Sequence, residues 1–357
     1  MIQQHVRRPV NNQTNISTGL SLFAQILVNK KVALDTRLNQ CYLLHHYSFS
    51  PTVLGPPVND ASGKSAMNLF ITYFGYGLVT ASILALSAVA FTLEYAVSRV
   101  ANLAHGEILT VGAYTAYLVH NATGNVVLAA ASAAVAGAAT GFLTNFLLVE
   151  RFSGRSRLVV LIATMGAAIL VQNVLTMIFG ASSRAFTIKQ GAPTQYGPFS
   201  FTTGELFVIV SAVVIVALLF LLLQRTKFGK SIRAVAENRD LARSTGINAK
   251  RVISQTWIVA GLIAGFAGFV LAENVGAFNP TFGNGFLLIT ITATVAGGLG
   301  RPYGTLLGAL LVGLVLEIAG AYTSSSFQLA FAFGILVLLL LVRPNGLLVR
   351  GSRTVES

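Results

Sequence analysis

Hydrophobic stretches of about 20 residues, separated by short polar connections, follow one another from Met67 to the end of the chain. A helix needs about 20 apolar residues to cross a bilayer. By that criterion the candidate spans cover residues 69–92, 101–119, 126–149, 158–180, 205–224, 252–272, 285–300, 303–322 and 327–342. Two of them are short, so we expect eight or nine spans. The pattern predicts an all-α fold, a polytopic bundle of membrane helices.

Basic residues between these stretches orient the predicted bundle. The loop 225–251 is rich in lysine and arginine, and cytoplasmic loops carry an excess of these residues. Counting spans from this loop also places Arg99 and Arg301 in the cytoplasm, and it places residues 120–125 and 181–204 outside. The topology puts the residue before Met67 outside as well.

Composition narrows the class of protein. Of the 357 residues, 54% are hydrophobic and 10% are charged, whereas soluble globular domains carry about 25% charged residues. The net charge of +13 comes mostly from residues between apolar runs, so it does not indicate nucleic acid binding. The single cysteine, Cys41, excludes a disulfide within the chain and a cysteine-cluster metal site, and we predict no metal.

Glycine pairs spaced four apart predict close helix packing: Gly137/Gly141, Gly261/Gly265 and Gly304/Gly308.

Residues 1–66 differ from the rest of the chain. They mix polar and apolar positions, contain no run long enough for a span, and make a poor signal peptide. We hypothesise that Met67 is the natural start and that 1–66 is translated upstream sequence; the alternative is a cytoplasmic or linker extension. Residues 67–350 are the predicted transmembrane domain, and 351–357 a short cytoplasmic tail.

The loop 225–251 contains a predicted helix over residues 231–245. Its apolar face is formed by Ile232, Val235, Ala236 and Ala242, and Gly246 is placed to end it. An amphipathic helix at the cytoplasmic face can lie on lipid headgroups or dock into a groove of a partner protein. The residues alone leave both readings open.

Three other places carry candidate chemistry. The start of one predicted span carries three polar residues, Asn102, His105 and Glu107, and ionisable residues at a membrane boundary are functional candidates. The structural alternative is that Asn102 caps the helix and that the helix dipole favours Glu107 in its first turns. Asn279 and Pro280 form either a broken helix beside a pathway or a plain extracellular turn. Glu317, inside an apolar span, is expected to face the bundle interior, either as a pathway residue or as a hydrogen-bonded structural carboxylate.

Catalytic and nucleotide-binding motifs are missing from the sequence. Gly229-Lys230-Ser231 ends like a phosphate loop, but the glycine that this motif needs five residues earlier is Gln224. If ATP drives this protein, another subunit binds the nucleotide. No catalytic carboxylate pair occurs, so we do not expect an enzyme. The remaining glutamates at span ends are interpreted as interfacial: Glu94, Glu150 and Glu205.

Several of these segments together resemble the branched-chain amino acid permease family (LivH/LivM type) of ABC importers. Asn102 to Glu107 is similar to the family motif N-x-A-H-G-E, and Gly276 to Gly283 is similar to G-x-x-N-P-x-x-G. The cytoplasmic loop resembles the family's coupling helix, which sits in a cleft of the ATP-binding subunit. The matching residues are Arg233, Ala234, Glu237, Asn238, Ala242, Gly246 and Ile247.

The resemblance implies a permease subunit of the bacterial inner membrane that works by alternating access. The implied partners are two ATP-binding subunits, a second permease or a copy of this one, and an extracytoplasmic solute-binding protein. This chain itself would bind no cofactor, because its partners use the ATP. The candidates for translocation or gating are Asn102, His105, Gly106, Glu107, Asn279, Pro280 and Glu317.

The substrate stays open at this stage. Branched-chain amino acids are the family's main substrates, and relatives carry other amino acids, urea or short amides. A self-contained secondary transporter or channel is the alternative from another class, and it needs ion-coupling groups in the spans. A membrane scaffold without transport is a third.

Overall fold

The computed structural model describes residues 66–342, apart from residues 153, 187, 189–190, 192, 197–198 and 323–326. The predictions for the N-terminal extension, apart from Ala66, and for the tail 351–357 fall outside the described residues and stay predictions.

The described chain is built almost entirely from helices. In order, the elements are α1 (Ala66–Ser98), α2 (His105–Thr123), α3 (Val126–Thr144, continued by a π-helical turn over Asn145–Val149), α4 (Arg157–Phe179), β1 (Arg184–Ala185), β2 (Thr194–Tyr196), β3 (Phe199–Phe201), α5 (Thr203–Arg225), α6 (Lys227–Glu237), α7 (Arg239–Ser244), α8 (Ala249–Val275), β4 (Ala277–Phe278), α9 (Phe282–Gly297), α10 (Pro302–Tyr322) and α11 (Gln328–Val342).

The helices confirm an all-α polytopic bundle. Within the described residues, six helices are long and apolar enough to cross a membrane: α1, α3 with its π-helical turn, α4, α5, α8 and α10. The helices α2, α9 and α11 fall outside that criterion, because they are short or carry polar residues. The prediction of eight or nine spans therefore stays a prediction.

The core lies around α1 and α8. Both are largely buried, and α1 packs against α5, α8, α9 and α10, while α8 packs against α1, α2 and α3. Trp257 and Phe269 of α8 and Leu84 of α1 are among the fully buried side chains. In contrast, α4 and α5 expose most of their apolar surface, as expected of helices that face lipid.

Glycines set the closest helix crossings, as predicted. Gly137 and Gly141 of α3 lie against Gly261 and Gly265 of α8, and a Cβ at any of these positions would overlap the facing backbone. Gly304 and Gly308 of α10 lie in the same way against α9.

Short strands close the predicted outer face of the bundle. β1 pairs antiparallel with β4, so that Arg184 is opposite Phe278. β2 and β3 form a hairpin in which Thr194 is opposite Phe201. Phe278 packs edge-on against Tyr114 of α2, with ring centroids 5.1 Å apart. These contacts tie the segment that follows α8 to α2.

Candidate translocation pathway and coupling helix

The first candidate segment lies inside the bundle and not at its edge. His105 begins α2, and its Nδ1 lies 3.0 Å from Oε1 of Glu94, while its Nε2 lies 3.3 Å from Oγ of Ser87. Ser87 is about 16 Å along α1 from Ser98, at 1.5 Å per residue. His105 is thus a buried residue at the very start of α2, and its position relative to the membrane boundary stays a prediction. After α1 ends, the chain turns back and starts α2 beside the interior of α1.

A buried hydrogen-bond network joins three helices at this point. Glu94 accepts a second hydrogen bond, of 2.8 Å, from Nδ2 of Asn102. Ser87 in turn is hydrogen bonded to Thr290 of α9, with 2.9 Å between the hydroxyl oxygens. All five side chains are at most 2% exposed. The carboxylate of Glu94 favours the proton on Nδ1 of His105, so the network fixes the orientation of the ring.

Glu94 is buried one turn before the end of α1, and Glu150 and Glu205 lie at helix ends. The interpretation of the three glutamates as interfacial stays a prediction. α1 continues to Ser98, past the predicted end of the span at residue 92, so Glu94 remains inside the bundle. Glu94 is the single charged residue of α1, and this isolation in an apolar helix is the sequence feature that could have identified it as part of the network. Glu205 forms a capping box with Thr202 at the start of α5. Ser87 and Thr290 were missed, because lone hydroxyl side chains in apolar helices carry no distinctive pattern.

Asn102 and Glu107 play different parts. Asn102 Oδ1 accepts a hydrogen bond of 3.0 Å from the backbone N–H of Ala104, so it closes a turn before α2 and does not cap the helix itself. Glu107 lies in the first turn of α2 and is 1% exposed. The hydroxyl of Thr110 lies near its carboxyl group but donates to the carbonyl of Gly106 at 3.0 Å, so neither carboxyl oxygen has a hydrogen bond of good geometry among the described residues. An unpaired buried carboxylate is costly, which makes Glu107 a candidate ligand for a cationic group.

The two family-like motifs meet where α2 and α9 begin. Gly106 lies against the backbone of Gly283, and a Cβ on either residue would overlap the other. Asn279 Oδ1 accepts hydrogen bonds from the backbone N–H and the hydroxyl of Thr281, at 3.1 and 2.9 Å. Pro280 is buried. Asn279 and Pro280 thus form the turn that positions the start of α9 beside Gly106.

Glu317 lies apart from this network. It sits on α10, is 2% exposed, and accepts a hydrogen bond of 2.6 Å from the hydroxyl of Thr80 on α1. Its other carboxylate oxygen is buried without a hydrogen-bond partner among the described residues. It faces the bundle interior, as expected. Thr80 lies about 10 Å along α1 from Ser87. The contact between Glu317 and Thr80 is therefore a second buried polar contact of α1, separate from the one at Ser87.

The basic loop 225–251 forms two helices where one was predicted. The predicted helix over 231–245 is interrupted at Asn238, which has an extended backbone, with φ −147° and ψ 110°. Its side chain accepts hydrogen bonds from the N–H groups of Asp240 and Leu241, at 3.1 and 3.0 Å. Asn238 thus ends α6 and caps α7, and this local capping outweighs continuation of the helix.

One side of α6 packs on the bundle and its end is exposed. Ile232 and Val235 are buried, and α6 packs against α1, α5 and α8. The predicted face included Ala236, which is only half-buried. Glu237 and Asn238 are exposed. The helix therefore presents a polar end away from the bundle.

Hydrogen bonds tie this loop to the transmembrane helices. The guanidinium of Arg99, just after α1, donates to the carbonyl of Ala236. Arg233 Nη1 donates to the carbonyl of Leu223 on α5 at 2.6 Å, beside the half-buried Ala234. These two hydrogen bonds connect α6 to the ends of α1 and α5.

The end of α7 also follows the predicted pattern. Gly246 has φ +85°, the left-handed conformation that ends a helix most easily at glycine. The N–H of Ile247 donates to the carbonyl of Ala242 at 3.0 Å, and Ala242 is buried. This turn leads the chain directly into α8.

Comparison with known proteins agrees with this arrangement. Residues 73–341 match the family model described as branched-chain amino acid transport system / permease component. The high-affinity branched-chain amino acid transport system permease protein LivH of Escherichia coli K12 is 28% identical over 79% of this chain and 96% of its own length. BraD of Pseudomonas aeruginosa, with the same description, is 28% identical over 77% of this chain and 94% of its own.

A sugar permease is similar to a comparable degree. The ribose import permease protein RbsC of E. coli K12 is 29% identical over 73% of this chain and 82% of its own length. The family match covers the bundle, the α2 and α9 motifs and the basic loop 225–251. This chain is therefore a multi-pass membrane protein that belongs to the family of permease components of branched-chain amino acid transport systems.

Proposed function

We propose that this chain is the membrane-spanning subunit of an ABC importer that moves branched-chain or other amino acids inward across the inner membrane of a bacterium. The observation that carries the proposal is that α6 has an exposed polar end and is hydrogen bonded to two transmembrane helices. Arg99, just after α1, donates to the carbonyl of Ala236, and Arg233 donates to the carbonyl of Leu223 on α5. Such a helix can pass the motion of a partner protein to the bundle.

The proposed partners supply the energy and the substrate. Two ATP-binding subunits would contact Glu237 and its neighbours, so ATP is used outside this chain. A second permease or a copy of this one completes the pathway, and an extracytoplasmic solute-binding protein delivers the solute. Glu237 and Asp240 favour a basic surface on the ATP-binding subunit, through charge-assisted hydrogen bonds.

The pathway is proposed to run past the start of α2. Glu107 has a buried carboxylate without a hydrogen-bond partner among the described residues, and the ammonium group of an amino acid would pair with it. Opening of the pathway would separate the α2 and α9 backbones where Gly106 meets Gly283. The network of His105 and Glu94 would hold α2 against α1 during that movement.

A neutral solute is the second candidate for the substrate. The similarity to a ribose import permease accompanies the similarity to amino acid permeases, so the bundle itself is compatible with more than one solute class. Urea or a short amide would not require a carboxylate at Glu107. Uptake by Glu107→Gln therefore separates the two candidates: loss favours an amino acid, and unchanged uptake favours a neutral solute.

The full count of spans is also part of the proposal. If α2, α9 and α11 cross the membrane together with the six long helices, the bundle has nine spans. Its first helix then starts outside and its last ends inside. This arrangement places the basic loop 225–251 in the cytoplasm, in agreement with the positive-inside rule.

The decisive experiment is retrieval of the complex by a tagged permease from its native membrane in mild detergent, beside the variant Glu237→Arg. We expect an ATP-binding subunit to accompany the wild type and to be lost with the variant. Solute uptake should fall about tenfold or more, because like charges meeting at an interface cost several kcal/mol. Gln195→Arg, an exposed position on β2, is the matched control and should retain both.

Two results would contradict the proposal. Normal uptake by Glu237→Arg would remove the coupling role from α6. A wild-type permease that is recovered alone, while a known transporter complex survives the same detergent, would favour a secondary transporter; ion-coupled uptake would then be the next measurement.

A further inference from the structure

A pocket of about 140 Å³ opens at the end of the bundle that carries the basic loop. It lies where the ends of α1 and α3 meet the starts of α4, α7 and α8. Its volume is well above the roughly 15 Å³ that a single water needs. Four cationic side chains and one carboxylate line it: Arg155, Arg157, Arg239, Lys250 and Glu150.

The positive charge of the pocket is only partly compensated. Lys250 pairs with Glu150, with 3.2 Å between Nζ and Oε1. The Nε of Arg239 is buried without a hydrogen-bond partner among the described residues. Burial lowers the pKa of Arg239 and the positive charge of Arg243 adds to the effect, while the carboxylates of Asp240 and Glu150 only partly oppose it. A guanidinium in this position would be stabilised by an anion.

Two neutral features of the pocket also suit an anion. Asn145 is 2% exposed and lines the pocket, and its Oδ1 has no hydrogen-bond partner among the described residues. This oxygen is an acceptor that suits one of the cationic side chains, and with the amide O and N exchanged the NH2 group would instead donate to an anion. Asn145 begins the π-helical turn that ends at Val149, a feature that is frequent at functional sites. α4 starts at the pocket without a side-chain cap from Ser156, so its first N–H groups are free of a side-chain acceptor.

The surface beside the pocket is apolar. Phe146 and Leu147 of the π-helical turn are 55% and 51% exposed, and Leu158 and Ile162 of α4 are 70% and 65% exposed. Bilayer lipid covers this surface in any case, so acyl chains lie directly beside the mouth of the pocket. A lipid would cover it with acyl chains while its headgroup entered the pocket.

We propose that this pocket binds the phosphate group of an anionic phospholipid of the cytoplasmic leaflet, with the acyl chains along α3 and α4. Basic pockets between helices on this side of the membrane suit such headgroups. The site is separate from the proposed pathway for the solute. Through Arg239 the bound lipid would hold the start of α4 against α7, the helix that follows α6.

The test uses the full-length chain in lipid nanodiscs that contain phosphatidylglycerol in a phosphatidylcholine background. Native mass spectrometry and titration measure the phosphatidylglycerol retained by the wild type and by Arg155→Gln/Arg157→Gln. The control, Arg225→Gln/Arg251→Gln, removes the same charge from exposed positions at the same end of the bundle and outside the pocket. A second arm adds glycerol 3-phosphate as a free phosphate compound.

We expect one tightly held phosphatidylglycerol per chain, and a loss of about fivefold in affinity for each arginine removed from the pocket, which is the fold-change that corresponds to about 1 kcal/mol. The control should bind like the wild type. Equal losses in both double variants would reduce the effect to general surface charge and overturn the site. Complete displacement by millimolar glycerol 3-phosphate would assign the pocket to a soluble phosphate compound. A pocket that retains no phosphatidylglycerol in the isolated chain would also overturn the proposal.

Discussion

At the scale of residues, the buried pair of Glu94 and His105 is the polar centre of the bundle. The ring of His105 is held by Glu94 on one nitrogen and by Ser87 on the other, and its face-edge contact with Phe91 has a centroid distance of 5.3 Å. Because all of these groups are away from solvent, the loss of one partner leaves another without a hydrogen bond. The pair therefore holds the start of α2 in place.

Glu94→Ala is expected to lower the free energy of unfolding by about 3 kcal/mol, because each buried donor left without an acceptor costs about 1–3 kcal/mol. The substitution leaves both His105 Nδ1 and Asn102 Nδ2 without their acceptor. Denaturant titration of the purified protein in detergent measures the change. Glu237→Ala, at an exposed position, should stay within about 0.5 kcal/mol of the wild type. Equal stability of the two variants would show that Glu94 is not a structural centre.

The sequence located the polar residues of the candidate pathway but not their partners. Asn102, His105 and Glu107 stood out because ionisable groups are rare in apolar stretches. Ser87 and Thr290 did not, since serine and threonine often hydrogen bond only to their own helix, as Thr290 also does with the carbonyl of Phe286. Which hydroxyl faces His105 depends on how α1 and α9 pack, and a single sequence carries no record of that packing.

At the scale of elements, three helices approach most closely around one glycine of α8. A Cβ on Gly265 would overlap the backbone of Ala133 and Gly137 on α3, and Gly112 of α2 lies against the same residue. Gly166 of α4, in contrast, has open space where a Cβ would stand. The two glycines thus form a matched pair, one at a helix crossing and one on a free helix face.

Gly265→Ala is expected to destabilise the protein by about 1–3 kcal/mol, the usual cost of overpacking, because backbone atoms cannot move aside as a flexible side chain can. Gly166→Ala should keep or slightly raise stability, since alanine favours a helix over glycine by up to about 1 kcal/mol. Thermal unfolding of both variants in the same detergent compares them directly. A Gly265→Ala variant as stable as Gly166→Ala would contradict the close crossing of α2, α3 and α8.

The long apolar helices were predictable, whereas the irregular elements were not. Hydrophobic length alone located α3, α4, α5, α8 and α10 to within a few residues of the predicted spans. The interruption at Asn238 was missed, because its side chain competes locally for the backbone donors of α7. The pairing of β1 with β4 joins residues far apart in sequence and depends on how the surrounding helices are placed.

At the scale of the whole molecule, the short helix α9 decides the topology. Its 16 residues extend about 24 Å at 1.5 Å per residue, which is less than the roughly 30 Å of a hydrocarbon core. The turn at Asn279 and Pro280 precedes it, and the glycine-rich turn at Gly298 and Gly300 follows it. If α9 crosses, these two turns lie on opposite sides of the membrane; if it is re-entrant, they lie on the same side.

Cysteine labelling distinguishes these arrangements, since Cys41 is the single cysteine of the sequence and Cys41→Ser gives a cysteine-free background. Each test position is exposed: Thr123, Ala277, Ser244 and Leu299. We expect a membrane-impermeant maleimide to label Thr123→Cys and Ala277→Cys on intact cells, and Ser244→Cys and Leu299→Cys only after permeabilisation. Labelling of Leu299→Cys from outside would make α9 re-entrant and reverse α10. Labelling of Ser244→Cys from outside would place α6 away from any cytoplasmic ATPase and would contradict the importer itself.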